Sequence, residues 1–181
     1  MTEIKIENIV VSTKIADGLD INKIAENLPD FKFNPNEFNG LTLKLGEPKT
    51  AVLLLPGGKV ICTGAKSFED AEIAIKKAVE RIKKIKIEVN KKYDLEIQNV
   101  VASTDLKKEL HLSSISKGLL LEHVDYEPIQ FPGLIYKMDD IGALILLFGS
   151  GKMVCTGAKN IENATNAIKI MKEKLSSLGA L

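Results

Sequence analysis

The chain has no tryptophan, only two cysteines and two histidines in 181 residues, and its 25 basic and 24 acidic side chains nearly cancel. Each scarcity excludes a class of explanation. Cys62 and Cys155 form no CxxC pair, and His111 and His123 stand far from both in sequence. A closed tetrahedral zinc site needs four such ligands at suitable spacing. No metal and no cofactor are expected. A net charge of +1 lacks the strong basic bias that announces a nucleic-acid binder, so any basic face must be offset elsewhere. No stretch reaches the ~18 apolar residues of a membrane span. The N-terminal stretch is charged and alternating, not an apolar run behind a basic start. An intracellular chain without membrane contact is expected, its thiols free and buried in a reducing compartment.

What the chain does have is a repeat. KVICTGAK at 59–66 returns as KMVCTGAK at 152–159, 93 residues later. IENIVVST at 6–13 returns as IQNVVAST at 97–104, an offset of 91, and FNPNEFNGLTLKL at 33–45 returns as YEPIQFPGLIYKM at 126–138, an offset of 93. Two residues are therefore inserted in the second copy, near Leu119–Val124 in a loop. The pattern is a tandem duplication, with the first repeat at 1–88 and the second at 89–181, forming one body.

Both copies predict the same elements. Ile4–Val11 alternates and is rich in β-branched residues, which predicts a strand. Leu19–Leu28 carries one apolar stripe and predicts a short helix. Leu41–Leu45, Ala51–Leu55 and Lys59–Thr63 predict strands, with a further short one around Phe31–Phe33. The turns between them are Glu47-Pro48-Lys49-Thr50 and Pro56-Gly57-Gly58. Ser67, with Asp70 three residues on, opens a long helix whose stripe is Ala71, Ile75, Ala78, Ile82 and Ile85. Ala164, Ile168, Met171, Leu175 and Leu178 repeat it. Tight turns make the strands antiparallel. Two one-striped helices per repeat cover one sheet face and leave the other open.

Alternation sorts the open face. Lys59, Ile61 and Thr63 point one way, and Val60 and Cys62 the other. Lys152, Val154 and Thr156 likewise oppose Met153 and Cys155. Asn8 shares parity with Val10, and Asn99 with Val101. The face offers no His, Asp or Glu in either repeat, which disfavours catalysis. It is too apolar to stay wet without a purpose. Lysines stand at repeated positions around it: Lys44 and Lys137, Lys59 and Lys152, Lys66 and Lys159. Bulky apolar residues flank it beside turns, Phe38 and Leu55 in one copy, Phe131 and Phe148 in the other.

The segments QNVVAST, FPGLIYKM, LLFGSGKMVCTGAK and EPKTAVLLLPGGKVICTGAK, at this spacing and over essentially the whole chain, are similar to the conserved core of the TATA-box-binding protein family. The Lys/Ile/Glu-rich composition and the absence of a low-complexity N-terminal tail resemble an archaeal member. The resemblance implies an α+β fold in which two pseudo-symmetric repeats form a ten-stranded antiparallel curved sheet, a saddle with helices on its convex face. It implies a general transcription factor, not an enzyme. Such a factor binds and bends A·T-rich TATA-box DNA through the minor groove and recruits a transcription factor B type partner and, indirectly, RNA polymerase. It also implies a place in the cytoplasm or nucleoid of an archaeon.

Carried over by motif position, Asn8 and Asn99 are central minor-groove donors, and Thr63 and Thr156 donate near the pseudo-dyad. Val10, Ile61, Val101 and Val154 press on base edges, with Leu53 and Leu146 on the same face. Phe131 and Phe148 wedge at one end beside Pro132, and Phe38 and Leu55 at the other. The family usually has phenylalanine where Leu55 stands, and Asn39 departs from the Pro132 pattern. The six lysines hold phosphates. Glu127 matches an acidic position of the partner-docking turn, whereas Ile129 stands where members often carry a second acid.

Two rival readings keep the fold and change the use. One is a ligand-binding module on the same face. The other is a protein scaffold, including a homodimer formed off DNA through that face. A phosphate loop is excluded for the octet, because GSGKM and GGKVI lack both the earlier glycine and the Ser/Thr after lysine.

Overall fold

Segments of period two become strands and segments of period 3.6 become helices, in the same order in both copies. The computed structural model describes residues 3–33, 36 and 38–181. Asn34, Pro35 and Glu37 of the motif at 33–45 lie outside the described residues, as do Met1 and Thr2. The first copy gives β1 (Lys5–Lys14), α1 (Ile21–Asn27), β2 (Phe31–Phe33), β3 (Leu41–Gly46), β4 (Lys49–Leu54), β5 (Lys59–Ala65) and α2 (Phe68–Lys84). The second gives β6 (Glu96–Asp105), α3 (Leu112–Gly118), β7 (Val124–Asp125), β8 (Gly133–Met138), β9 (Ala143–Phe148), β10 (Lys152–Ala158) and α4 (Ile161–Ser177). Three residues join α1 to β2 and five join α3 to β7, so the two-residue insertion falls where the offsets place it. It is not plain loop: Leu121–His123 forms a 3₁₀ turn.

Among the described residues the fold is an α+β sheet of ten antiparallel strands in the order β2-β3-β4-β5-β1-β6-β10-β9-β8-β7, with four α-helices. The chain has two compact units. One is Asn8–Gln98; the other joins the segment ending at Glu7 to Asn99–Leu181. Strands β1 and β6 thus each contribute residues to both units. In the first-repeat unit α2 packs on β4 and β5; in the second, α4 packs on β9 and β10. Ala71, Ile75, Ala78 and Ile82 are fully buried, as are Ala164, Ile168, Met171 and Leu175. Each large aliphatic side chain so removed from water contributes ~1.5–3 kcal/mol. The stripes end one turn earlier than the sequence suggests. Ile85 is the half-buried C-cap of α2, and Leu178, the C-cap of α4, is 40% exposed. Ser67 Oγ accepts from the Asp70 amide at 3.1 Å, and Asn160 Oδ1 from the Asn163 amide at 2.7 Å, so both helices begin on side-chain caps.

The turns after β4 and β9 are tied to the loops that follow β1 and β6. Ile15 N donates to Gly58 O and Leu19 N to Pro56 O. In the second unit Leu106 N donates to Gly151 O and Leu110 N to Gly149 O. This close approach requires glycine. Gly151 has φ +89°, and a Cβ there would lie 2.2 Å from Lys108 O. Gly58 has φ +85°, with Ala16 O at 2.0 Å from the same hypothetical atom. Gly151→Ala should therefore cost at least about 2 kcal/mol, from left-handed strain plus the clash. A scanning thermal melt should fall by roughly 4–8 °C. Gly57→Ala, where a Cβ meets nothing within 4 Å, should leave the melt unchanged.

Candidate nucleic-acid interface

The face away from the helices carries the alternation expected of it. Strands β5 and β10 share one burial pattern, with Val60 and Cys62, Met153 and Cys155 in the core. Ile61 and Thr63, Val154 and Thr156 are half-buried on the open side, and Lys59 and Lys152 are exposed. Strands β1 and β6 also share a pattern, with Asn8, Val10, Asn99 and Val101 half-buried. Register extends these rows outward. Ile61 lies opposite Leu53, and Leu53 opposite Thr42. Val154 lies opposite Leu146, and Leu146 opposite Ile135. The two edge strands finish the rows differently, with Lys32 opposite Thr42 and Asp125 opposite Ile135. Asp125 corrects the expectation of a face free of acids. A two-residue strand has no readable alternation, so its facing was not visible in sequence.

The central asparagines are held by a device that sequence reasoning missed. Ile9 pairs with Ala65 and Val11 with Cys62, so Val10 alone opposes both Thr63 and Gly64. The same β-bulge sets Val101 against Thr156 and Gly157. Gly64 and Gly157 have φ +89° and +92°. In the first-repeat unit the freed Gly64 amide donates to Asn8 Oδ1 at 2.7 Å, and Asn8 Nδ2 donates to Thr63 Oγ1 at 3.3 Å. In the second unit Gly157 N donates to Asn99 Oδ1 at 2.6 Å, and Asn99 Nδ2 to Thr156 Oγ1 at 3.3 Å. A backbone N–H can only meet the amide oxygen, so each amide has one orientation. Its oxygen is occupied, one N–H remains, and the threonine hydroxyl, already accepting, is left to donate. Each unit thus presents two donors beside the apolar side chains of Val10 and Ile61 or of Val101 and Val154. The available signal was the glycine inside a strand motif, which marks a bulge.

Wedge candidates sit at the ends of the hairpins. Phe131 and Phe148 are half-buried, with ring centroids 5.9 Å apart and planes at 67°, an edge-to-face pair. Gly133, paired with Phe148, makes room for both rings, since a Cβ there would lie 2.8 Å from Phe131. Pro132 between them is exposed. In the first-repeat unit Phe38 and Leu55 are also half-buried, and a Cβ on Gly40 would lie 2.6 Å from the Phe38 ring. All six lysines are exposed. Lys59 and Lys152 open their strands, and Lys66 and Lys159 follow them. Lys44 and Lys137 stand inside β3 and β8. Glu127 is exposed in the turn leading to Phe131, and its carbonyl accepts from the Gln130 and Phe131 amides at 2.9 Å each.

The cysteines lie on the other side. Both are free and fully buried, and burial pushes each thiol up to about 11. Native protein at pH 8 should therefore resist iodoacetamide, and denatured protein should take two equivalents by mass. The sign of the linkage follows. The folded thiols ionise later than unfolded ones, so their contribution to stability is complete below pH ~9 and is lost as pH rises toward 11.

Among the described residues, no helix is long and apolar enough to cross a membrane, and no group of three or more His, Cys, Asp or Glu is placed to hold a metal ion. The sequence profile of the family described as transcription factor TFIID (or TATA-binding protein, TBP) matches residues 3–85 and 94–178, once per repeat. The TATA-box-binding protein of Archaeoglobus fulgidus is 47% identical over 179 residues, covering 99% of this chain and 98% of that one. That of Methanothermobacter thermautotrophicus is 46% identical over 176 residues, covering 97% and 96%. The solved structure of Methanococcus jannaschii TBP superposes with a TM-score of 0.85 at 46% identity, covering 97% of this chain and 99% of that one.

Proposed function

The chain belongs to the TATA-box-binding protein family, and we propose that it binds and bends A·T-rich duplex DNA through the minor groove. The family is one of DNA-binding general transcription initiation factors, not of enzymes. Its two repeats, 1–88 and 89–181, act as one DNA-binding body in the cytoplasm or nucleoid of an archaeon. The bound factor recruits a transcription factor B type partner, with Glu127 in the docking turn, and through that partner RNA polymerase. Off DNA, two copies cover their apolar faces by pairing.

The observation that carries this reading is the donor set. Each unit offers an amide N–H and a threonine O–H, held in place because each asparagine oxygen and each threonine oxygen already accepts one bond inside the protein. In the minor groove A·T pairs present only acceptors, whereas G·C adds the guanine amino donor. Donors set among Val, Ile and Leu side chains complement the first and repel the second. Half-buried apolar residues at hairpin ends suit insertion between base steps, for which this family is itself a standard example. Pyrimidine–purine steps such as TA open at least cost.

Fluorescence anisotropy on a TATA-like duplex and a G·C-rich duplex, titrated across salt, tests the proposal. The TATA-like site should bind at least a hundredfold more tightly. If the six exposed lysines each take one phosphate, log K should fall with log salt at a slope of about −5. Equal affinity for the two duplexes would refute the reading.

A further inference from the structure

The two open faces are built from equivalent rows, and they differ in kind at one interior position. In the first-repeat unit the row runs Ser12, Ile61, Leu53, Thr42, Lys32. In the second it runs Ser103, Val154, Leu146, Ile135, Asp125. Ile61 and Leu53 face aliphatic counterparts, but Thr42 stands where the other face has Ile135. Both are half-buried on the open side. The Ser12 hydroxyl accepts from Gln98 Nε2 at 3.0 Å, whereas the Thr42 hydroxyl has no partner among the described residues. The fold does not need it, since valine suits a strand as well. It faces away from the core beneath α2, which takes Leu41 and Leu43 from the same strand.

We infer that Thr42 is a specificity-determining residue, which lets the first-repeat face accept a G·C pair that the second-repeat face rejects. The inference rests on the minor-groove reading above. Guanine differs there only by its 2-amino donor. Ile135 itself offers that amino group no acceptor, and the Asp125 carboxylate next in the row is exposed on the edge strand, so a donor pressed onto Ile135 loses water without a partner, which is costly. Thr42 Oγ1 offers lone pairs at the equivalent register, and its proton can still serve an A·T pair. Strand β3 lies three strands out from β1, about 14 Å at ~4.8 Å per strand. At 3.4 Å per base pair that is roughly four pairs beyond those meeting Asn8. The tolerance is therefore confined to one outer pair of one half-site.

A nearly palindromic site lets the protein choose its orientation, so the test uses three duplexes. One is A·T throughout, one carries a G·C pair at a single outer position, and one carries it at both. The wild-type chain should bind the first two within about twofold and the third about tenfold more weakly, because one guanine must then meet Ile135. Thr42→Val, which keeps the shape and removes the hydroxyl, should make the single G·C pair cost about tenfold. Thr42→Ser should restore the tolerance, and Ile135→Thr should extend it to the doubly substituted duplex. Inosine in place of guanine lacks the amino group and should erase every one of these differences. Equal penalties in wild type and Thr42→Val, or a penalty that survives inosine, would overturn the assignment. If the wild-type chain shows no preference for the all-A·T duplex over a G·C-rich one, the underlying reading has failed instead.

Discussion

Asn99→Asp should abolish specific DNA binding while leaving the protein folded. An aspartate keeps an oxygen for the Gly157 amide, so the bulge and its 2.6 Å contact survive. What it loses is the Nδ2 group, which donates to Thr156 and supplies the remaining N–H to the open face. It also places a negative charge on the surface proposed to meet groove acceptors, close to phosphates. A lost hydrogen bond plus a carboxylate desolvated against lone pairs costs about 3 kcal/mol or more, over a hundredfold in affinity. Anisotropy on the TATA-like duplex measures the loss, and an unchanged thermal melt and circular dichroism spectrum assign it to the interface. Asn99→Ala should bind better than Asn99→Asp yet be less stable, because the Gly157 amide then loses its partner. An aspartate variant that binds within tenfold of wild type would refute the donor assignment.

The second large effect concerns bending. Phe131→Ala and Phe148→Ala should each reduce the bend more than Leu55→Ala, measured by energy transfer across end-labelled DNA. The two phenylalanines support each other edge-to-face at 5.9 Å, so removing either ring leaves its partner unsupported. Leu55 is the smaller side chain, and the Phe38 ring of the same unit rests over Gly40. Truncating a packed phenylalanine removes on the order of 3–5 kcal/mol of apolar contact in a fully buried setting. Half of that is enough to shift the balance against unstacking a base step, which costs a few kcal/mol. Leu55→Phe should deepen the first-repeat wedge. Equal loss of bending from all three alanine variants would refute the asymmetry.

Much of this was legible in sequence because its physics is local or doubled. Alternation in KVICTGAK placed Cys62 in the core and Thr63 on the open face without reference to a partner strand. The change of offset from 91 to 93 located the insertion between α3 and β7. The bulge was not legible, because it depends on the register between β1 and β5, strands that lie about 50 residues apart. The open face was expected to lack acids, and Asp125 escaped notice because β7 has only two residues and no readable alternation. The length of α1 was overestimated for a related reason. Its stripe runs on past Asn27, but the backbone leaves the helix at Leu28, whose amide closes on Ile24 O. Hydrophobic period shows which face is buried; it does not show where hydrogen bonding stops.

The double tether of each hairpin turn has a mechanical consequence. DNA resists bending, so a wedge that opens a base step is pushed back by the step it opens. Leu55 and Phe148 each stand immediately before a turn whose carbonyls are bonded to the loop following the unit's first strand. Glycines at 58 and 151 allow backbone to touch backbone there, with no side chain to act as a spring. In the proposed complex that recoil would pass along short main-chain bonds into the sheet instead of folding the turn aside. Each turn would act there as a stiff fulcrum, and the work of binding would go into deforming the duplex while the protein keeps its shape.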